Sequence, residues 1–420
     1  MQIKFNQSSL EGEVSLPASK SISNRILMLQ ALCDDHFEIL NLAESSDTKI
    51  LQQSLITLLN SDEKFIDIDL FDAGTPFRFL TAFACLLEGR TIYLHGTERL
   101  HQRPIKALVD ALQQMGADIH FEKHDGFAPL VVYGGGIRGG VVRITGNISS
   151  QFLSALCIVA PSLEFGVEIE ITEEVISAPY LEMTLELMRR FGIHIGIKRN
   201  SFDEIKYVKI SRQLFEGDMF IVNGDWSSAV FFYAMAMLSD TVNLRLCDLE
   251  MDGLQGDELI SIIANDFGIV TEQEGLDILI NRSSLMNENY ESIYSFQNYP
   301  DLAVPFIVAC AIKYPKCKFE GLHHLALKES NRILALQNEL EKVGIELKYE
   351  NNLLSISHLD FINRKGSVHF KSYEDHRIVM ALSLFALVGF RVEFDKGDCV
   401  SKSFPNYFRE LKKIGFEIID

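Results

Sequence analysis

Cations stand at the heads of apolar segments in this chain. "LPASKSISNR" sets Lys20 and Arg25 at the start of "ILMLQALC". "AGTPFR" and "YEDHR" set Arg78 and Arg377 at the start of equally apolar runs. A cation at a helix N-terminus opposes the macrodipole and costs stability. Its repetition points to an anionic ligand with more than one charged group. Guanidinium forks suit carboxylate and phosphate, and an ammonium adds compact charge. Arg103, Lys328, Arg332 and Lys402 lie near further turns. Two carboxylates share these surroundings, Asp301 in "YPDLA" and Glu329 in "LKESNR". Beside an anion site they are candidates for general base and general acid. Taken singly, each also fits ordinary helix-start electrostatics.

Elements that could position these groups recur along the chain. A helical stretch, a Gly and an alternating apolar stretch follow one another at Gly116, Gly192, Gly268, Gly344 and Gly415. Each fits a helix closed by Gly at its C′ position and followed by a strand. A degenerate copy without Gly begins at Ile50. A second series consists of six nearly all-apolar helices, with turns near residues 18, 73, 147, 225, 300 and 375. The repeats predict an α/β architecture of six βαβαβ-type units, three to a core. The seam falls near residue 222, in "MFIVNGDWSS". The expected domains are 19–222, and 1–18 with 223–420. All-apolar helices belong inside each domain, and amphipathic ones such as "KESNRILALQNELEKVG" outside. The hydroxyls of "SKSIS" could cap orphan N–H groups. Helix N-termini pointing at a gap between the domains would also make a cleft that favours anions.

Composition narrows the class. The chain has 420 residues, 47% of them hydrophobic, and a net charge of −19. Nucleic acid and anionic membranes are therefore poor partners, and any bound anion needs local cations. Seven Cys are scattered without a CxxC. They read as small buried hydrophobes, and no disulfide framework follows. The first residues lack the basic and apolar regions of a signal peptide, and no apolar run approaches the ~18 residues of a spanning helix. The expected location is the cytoplasm. "GGGIRG" at 134–139 matches GxGxxG, but "GVVRITG" follows where a dinucleotide site needs a helix, so it reads as a glycine-rich hairpin. Motifs and spacing support neither a metal site nor a cofactor.

"LPASKSISNR", "AGTPFR", "QRPI", "GNISSQFLSAL", "SAPYLEMTL", "GDWSSA", "PDLA", "KESNR", "YEDHRIVMAL" and "SKSFPNYF" occur in this order along the whole chain. Together they resemble the 5-enolpyruvylshikimate-3-phosphate synthase family of enolpyruvyl transferases. The resemblance implies a two-domain inside-out α/β fold, barrel-like, with the active site in the interdomain cleft. It implies a reaction of shikimate-3-phosphate with phosphoenolpyruvate that needs no metal or cofactor, in a monomer with small-molecule partners. By position, it implies that Lys20 touches both substrates. Ser21, Arg25, Ser149, Ser150, Gln151, Ser177, Tyr180, Asp301, His324 and Lys328 would bind shikimate-3-phosphate. Gly74, Arg103, Gln151, Arg332, Arg377 and Lys402 would bind phosphoenolpyruvate. Asp301 would take the hydroxyl proton, and Glu329, with Lys20, would move the proton at C3. Arg78 and His376 would support the group.

The chain departs from the family pattern at Asp72, where a neutral residue is usual, and at Ala18, Phe79, His324, Ala326 and Asn331. An anion at residue 72 would weaken a phosphoenolpyruvate site unless it turns away. Two rival readings stay open at this level. A UDP-sugar enolpyruvyl transferase shares the fold, but the reactive Cys typical of its loop is missing from "GTERLHQRPI". A non-catalytic anion-binding paralogue is motivated by Asp72 and Asn331. Replacing Arg25 with Ala is expected to weaken ligand binding with little effect on stability.

Overall fold

The computed structural model describes residues 1–35, 37–217, 219–283, 291–361 and 366–419. The chain forms two compact units, Lys20–Val222 and Met1–Ser19 with Asn223–Asp420. Two strands, β1 (Gln2–Phe5) and β2 (Leu10–Ser15), open the chain and complete sheets of the second unit.

The first unit begins with α1 (Lys20–Leu32), β3 (Glu38–Leu40) and α2 (Ser46–Asn60). The next repeat runs β4 (Phe65–Asp69), α3 (Gly74–Ala84), β5 (Thr91–His95), a short α4 (Glu98–His101), α5 (Lys106–Gln114), β6 (Asp118–Phe121) and β7 (Leu130–Tyr133). The third runs β8 (Gly140–Ile144), α6 (Ser150–Val159), β9 (Val167–Ile171), α7 (Ala178–Arg190), β10 (Ile195–Arg199) and β11 (Ile205–Ile210). Strand β12 (Met219–Ile221) returns to pair in parallel with β3.

In the second unit α8 (Trp226–Leu238) is followed by β13 (Val242–Cys247), a short α9 (Ile260–Ile263), β14 (Ile269–Glu274) and β15 (Asp277–Arg282). Then come β16 (Ile293–Ser295), α10 (Pro300–Lys313), β17 (Lys318–Glu320), α11 (Arg332–Glu341), β18 (Ile345–Glu350) and β19 (Leu353–His358). The last repeat has β20 (Gly366–Phe370), α12 (His376–Leu382), β21 (Phe390–Phe394), α13 (Tyr407–Lys413) and β22 (Phe416–Ile419).

Five sheets share one plan. Two parallel strands flank a buried helix, and an antiparallel pair follows, as in the order β4-β5-β7-β6. The repeat therefore has four strands, one more than the βαβαβ reading. The extra strand arises because the chain doubles back after the glycine-capped helix. The glycines do what their spacing predicts: Gly116, Gly192, Gly268, Gly344 and Gly415 all have φ between 75° and 97°, a left-handed backbone that L side chains resist. "GGGIRG" is not a hairpin, because its flanking strands β7 and β8 belong to different sheets. It links two repeats, and a Cβ on Gly134 would lie 2.1 Å from the Leu87 carbonyl oxygen.

The core of each unit is helical. In the first, α1, α3 and α6 pack on one another; in the second, α10 packs on α8 and α12. Every residue of α8 is buried, and Trp226 satisfies its indole N–H on the Glu250 carbonyl at 2.9 Å. Such helices can only be interior, since no polar face remains for water. The outer helices are amphipathic: α5 buries Leu108, Val109, Ala111 and Leu112. All seven Cys are free thiols; Cys85, Cys157, Cys310 and Cys317 are buried, and Cys33, Cys247 and Cys399 are half-buried. Among the described residues, no helix is long and apolar enough to cross a membrane.

Candidate active site

In the first unit, cations gather at the head of α3. Arg78 Nη1 donates to the Gly74 carbonyl at 2.9 Å and to Gln151 Oε1 at 3.1 Å. Gln151, at the head of α6, in turn donates through Nε2 to Thr75 Oγ1 at 3.1 Å. A Cβ on Gly74 would lie 2.1 Å from Arg103 Nη1 and 2.8 Å from Arg78 Nη1, so a side chain there would push both guanidinium groups aside. Two guanidinium groups thus converge on a backbone without a side chain, at a helix N-terminus that already favours anions. Asp72 faces Arg99 Nη1 at 3.9 Å. The anion that threatened this site is paired with a cation.

Lys20 opens α1 with its ammonium 3.7 Å from buried Asp47. Arg25 is 2% exposed and already engaged within the unit. It donates to Thr184 Oγ1 (2.7 Å), to the Ser21 carbonyl (2.8 Å) and to the Tyr180 carbonyl (2.9 Å), joining α1 to α7. Burial lowers its pKa to about 10. Arg25 is therefore a structural tie as well as a candidate ligand, which argues against the expectation of a stability-neutral Arg25→Ala. Ser149 caps α6 by accepting from the Gln151 amide, and Ser150 is buried beside it. Ser177, just before α7, has φ 58°. That left-handed conformation costs a side-chain-bearing residue roughly 1–2 kcal/mol, the kind of strain kept at working positions.

The second unit holds both candidate carboxylates. Buried Arg332 organises them. Its Nε donates to Asp375 Oδ2 at 2.9 Å, and its Nη2 lies 2.5 Å from Glu329 Oε2 and 3.3 Å from Asp375 Oδ1. Asp301 Oδ1 is 3.8 Å from Arg332 Nη1. Burial disfavours the Arg332 cation, but Asp375, Glu329 and Asp301 outweigh it and hold the guanidinium above its ordinary range. Asp301 Oδ2 also pairs with Arg377 Nη2 at 2.9 Å, while the Asp301 carbonyl accepts from Arg377 Nη1 at 3.0 Å. That carbonyl is available because residue 305, four positions on in α10, is a proline without an N–H.

Lys328 lies next to Glu329, and burial lowers its ammonium, opposed by Asp301. His324 is pushed down to about 3 by burial and then by Lys328, so it is a neutral imidazole at neutral pH. Its two ring nitrogens have no hydrogen-bond partner among the described residues. His376 is buried and shares a 3.0 Å hydrogen bond through Nε2 with Ser403 Oγ. Lys402 lies at the end of the Asp398–Lys402 turn, half-buried. Asn331 caps α11 by accepting from the Leu334 amide.

The sequence reading missed three members of this group. Asp375 stood inside the quoted "YEDHR" without a role, yet it anchors Arg332 and caps α12. Pro305 was visible as a proline inside an apolar helix. Asp257, in "LQGDELI", carried no local signal. It is 3% exposed, accepts a hydrogen bond from Ser227, and is raised to about 7 by burial and then by Asp301, with Arg377 opposing. Among the described residues, no group of three or more His, Cys, Asp or Glu side chains is placed to hold a metal ion.

Residues 5–411 match the family model for EPSP synthase (3-phosphoshikimate 1-carboxyvinyltransferase). The chain belongs to the EPSP synthase family. A 3-phosphoshikimate 1-carboxyvinyltransferase of Bacteroides fragilis is 35% identical over 412 residues, covering 98% of this chain and 97% of the relative. One from Haemophilus influenzae is 34% identical over 433 residues, covering 97% of each. The fold is shared with EPSP synthase from Acinetobacter baumannii, at a TM-score of 0.79 and 18% identity, covering 100% of this chain and 99% of that one. An enolpyruvyl transferase from Streptomyces tendae superposes with a TM-score of 0.74 at 12% identity, covering 99% and 97%. The family's two-domain inside-out α/β fold is thus the fold of this chain.

Proposed function

We propose that this chain is a 3-phosphoshikimate 1-carboxyvinyltransferase of aromatic amino acid biosynthesis. It transfers the enolpyruvyl group of phosphoenolpyruvate to the 5-hydroxyl of shikimate-3-phosphate and releases phosphate. The observation that carries this reading is the Arg332 cluster, in which one buried guanidinium aligns Asp301, Glu329 and Asp375. An acid–base pair held beside cations suits addition to an enol ester of a polyanion.

In the first step the hydroxyl oxygen attacks C2 of phosphoenolpyruvate, Asp301 takes the hydroxyl proton, and C3 gains a proton from Glu329, helped by Lys20. In the second, the tetrahedral adduct returns a C3 proton to Glu329 as the C2–O bond to phosphate breaks, and the proton taken by Asp301 leaves with the departing phosphate. Ser21, Arg25, Ser149, Ser150, Gln151, Ser177, Tyr180, His324 and Lys328 serve shikimate-3-phosphate. The backbone of Gly74, with Arg103, Gln151, Arg332, Arg377 and Lys402, serves phosphoenolpyruvate; Arg332 offers Nη1, since its other nitrogens are committed to carboxylates. Arg78 and His376 support these groups. Lys20 serves both substrates. The enzyme works in the cytoplasm as a monomer on small molecules, without a cofactor.

The test is phosphate release on mixing protein with both substrates, without added metal, and with each substrate omitted in turn. Release that requires both supports the transferase. Absence of release from folded protein overturns it.

A further inference from the structure

Among the described residues, five of the six sheets have four strands, but the sheet of the first repeat has only β12 and β3. The other repeats show what belongs beside β3. In four of them, the second strand of the parallel pair receives an antiparallel strand that buries aliphatic side chains two positions apart, and in the last β1 lies against β21 and buries Ile3. The four pairs are Leu130 and Val132 against β5, Val208 and Ile210 against β9, Ile278 and Ile280 against β13, and Leu354 and Ile356 of β19, which meets β17 at Leu354. In the first repeat the chain goes from the end of α2 at Asn60 to β4 at Phe65, with no room for a hairpin. The space it would fill is a groove of about 780 Å³ between α1, β3 and α2, lined by Leu27, Leu42, Leu55, Ile56 and Leu59. Ile56 and Leu59 are each 48% exposed.

Charge points to the kind of occupant. Among the described residues, Glu38 is the one charged residue lining the groove. The chain flanking the lining residues carries exposed Asp34, Asp35, Glu44, Asp62 and Glu63, against exposed Lys49 and Lys64. A second copy would bring these carboxylates against their own kind, in a chain of net charge −19. A segment with basic ends would not.

We propose that β3 and this groove bind an extended segment of another protein, antiparallel to β3, with aliphatic residues at alternate positions and basic flanks. It supplies the strand that the first repeat lacks, by strand addition to an open sheet edge. The site is separate from the residues assigned to catalysis and does not rest on the transferase reading.

The test uses a fluorescein-labelled peptide of sequence KKTITVTIKK, followed by fluorescence anisotropy. A control peptide has Pro at its central Val and cannot complete the backbone pairing. The expected result is saturable binding to the full-length protein, at least tenfold weaker binding to the surface double variant Ile56→Lys with Leu59→Lys, and at least tenfold weaker binding of the control. Hydrogen exchange at the Ile39 amide slows on binding, whereas Leu40, whose carbonyl accepts from the Val222 amide, faces β12 and is unaffected. No binding to folded protein, equal binding by the double variant, or equal binding of the control overturns the proposal. So does light scattering that shows a wild-type dimer dissociated by the double variant, because the groove would then belong to a second copy.

Discussion

Asp257→Asn should change how the stability of the second unit depends on pH. Asp257 is buried, and burial together with the Asp301 carboxylate raises its pKa from the ordinary 3.8 to about 7. Asp225 adds to the rise, the Ser227 hydroxyl and Arg377 oppose it, and the Tyr299 phenol lies in the same field. Between these two values the folded state holds a proton that the unfolded state has released. Stability therefore falls as pH rises from about 4 to about 7, and the full cost is present above 7. A shift of about 3 units at 1.36 kcal/mol each sets a ceiling of about 4 kcal/mol. Asn keeps the shape and can still accept from Ser227, but it carries no charge at any pH. The stability of the variant relative to wild type should thus rise by up to about 1.4 kcal/mol per pH unit across that window and level off above it. The assay is urea unfolding at pH 5, 6, 7 and 8, followed by the fluorescence of Trp226, the one tryptophan of the chain and the neighbour of Ser227. A difference between variant and wild type that stays constant over this range would refute the reasoning.

Glu329→Gln should lower kcat by about 10²–10⁴-fold, the usual worth of an acid–base group. Calorimetry should find shikimate-3-phosphate binding nearly intact; unchanged turnover would remove Glu329 from the mechanism. Arg25→Ala should destabilise the first unit by roughly 2–4 kcal/mol, because buried Thr184 and the part-buried carbonyls of Ser21 and Tyr180 lose a charged donor. Thermal unfolding checks this, and a melting temperature equal to wild type would leave Arg25 with only a ligand role. Pro305→Ala should restore an amide that competes with Arg377 for the Asp301 carbonyl. The helix should be at least as stable in circular dichroism, while kcat/KM for phosphoenolpyruvate falls by about 3–10-fold, the worth of one hydrogen bond. Unchanged kcat/KM would show that Arg377 does not depend on that carbonyl.

Much of the architecture was legible because its signals are local. A helix closed by Gly and followed by alternation needs only a dozen neighbouring residues, and all five such glycines have the left-handed backbone their spacing predicted. A helix apolar on every side, such as α8, can only be interior. Cations at helix heads implied an anionic ligand for the same reason. Their partners were not legible, because an ion pair is set by distance in space. Arg332 meets Asp375 from 43 residues away, and Arg377 meets the Asp301 carbonyl from 76. Nothing in "LQGDELI" marks Asp257, whose raised pKa comes from burial and from a carboxylate on another helix. The same limit applies to the first repeat. Its missing hairpin is a short linker in the sequence, and only the packing of α1, β3 and α2 shows that the deletion leaves an open groove. Residue type and periodicity determined the elements and the sign of the ligand's charge. Tertiary packing alone decided which charges are paired, which are buried and which surfaces are left uncovered, because each depends on desolvation and on contacts between distant parts of the chain.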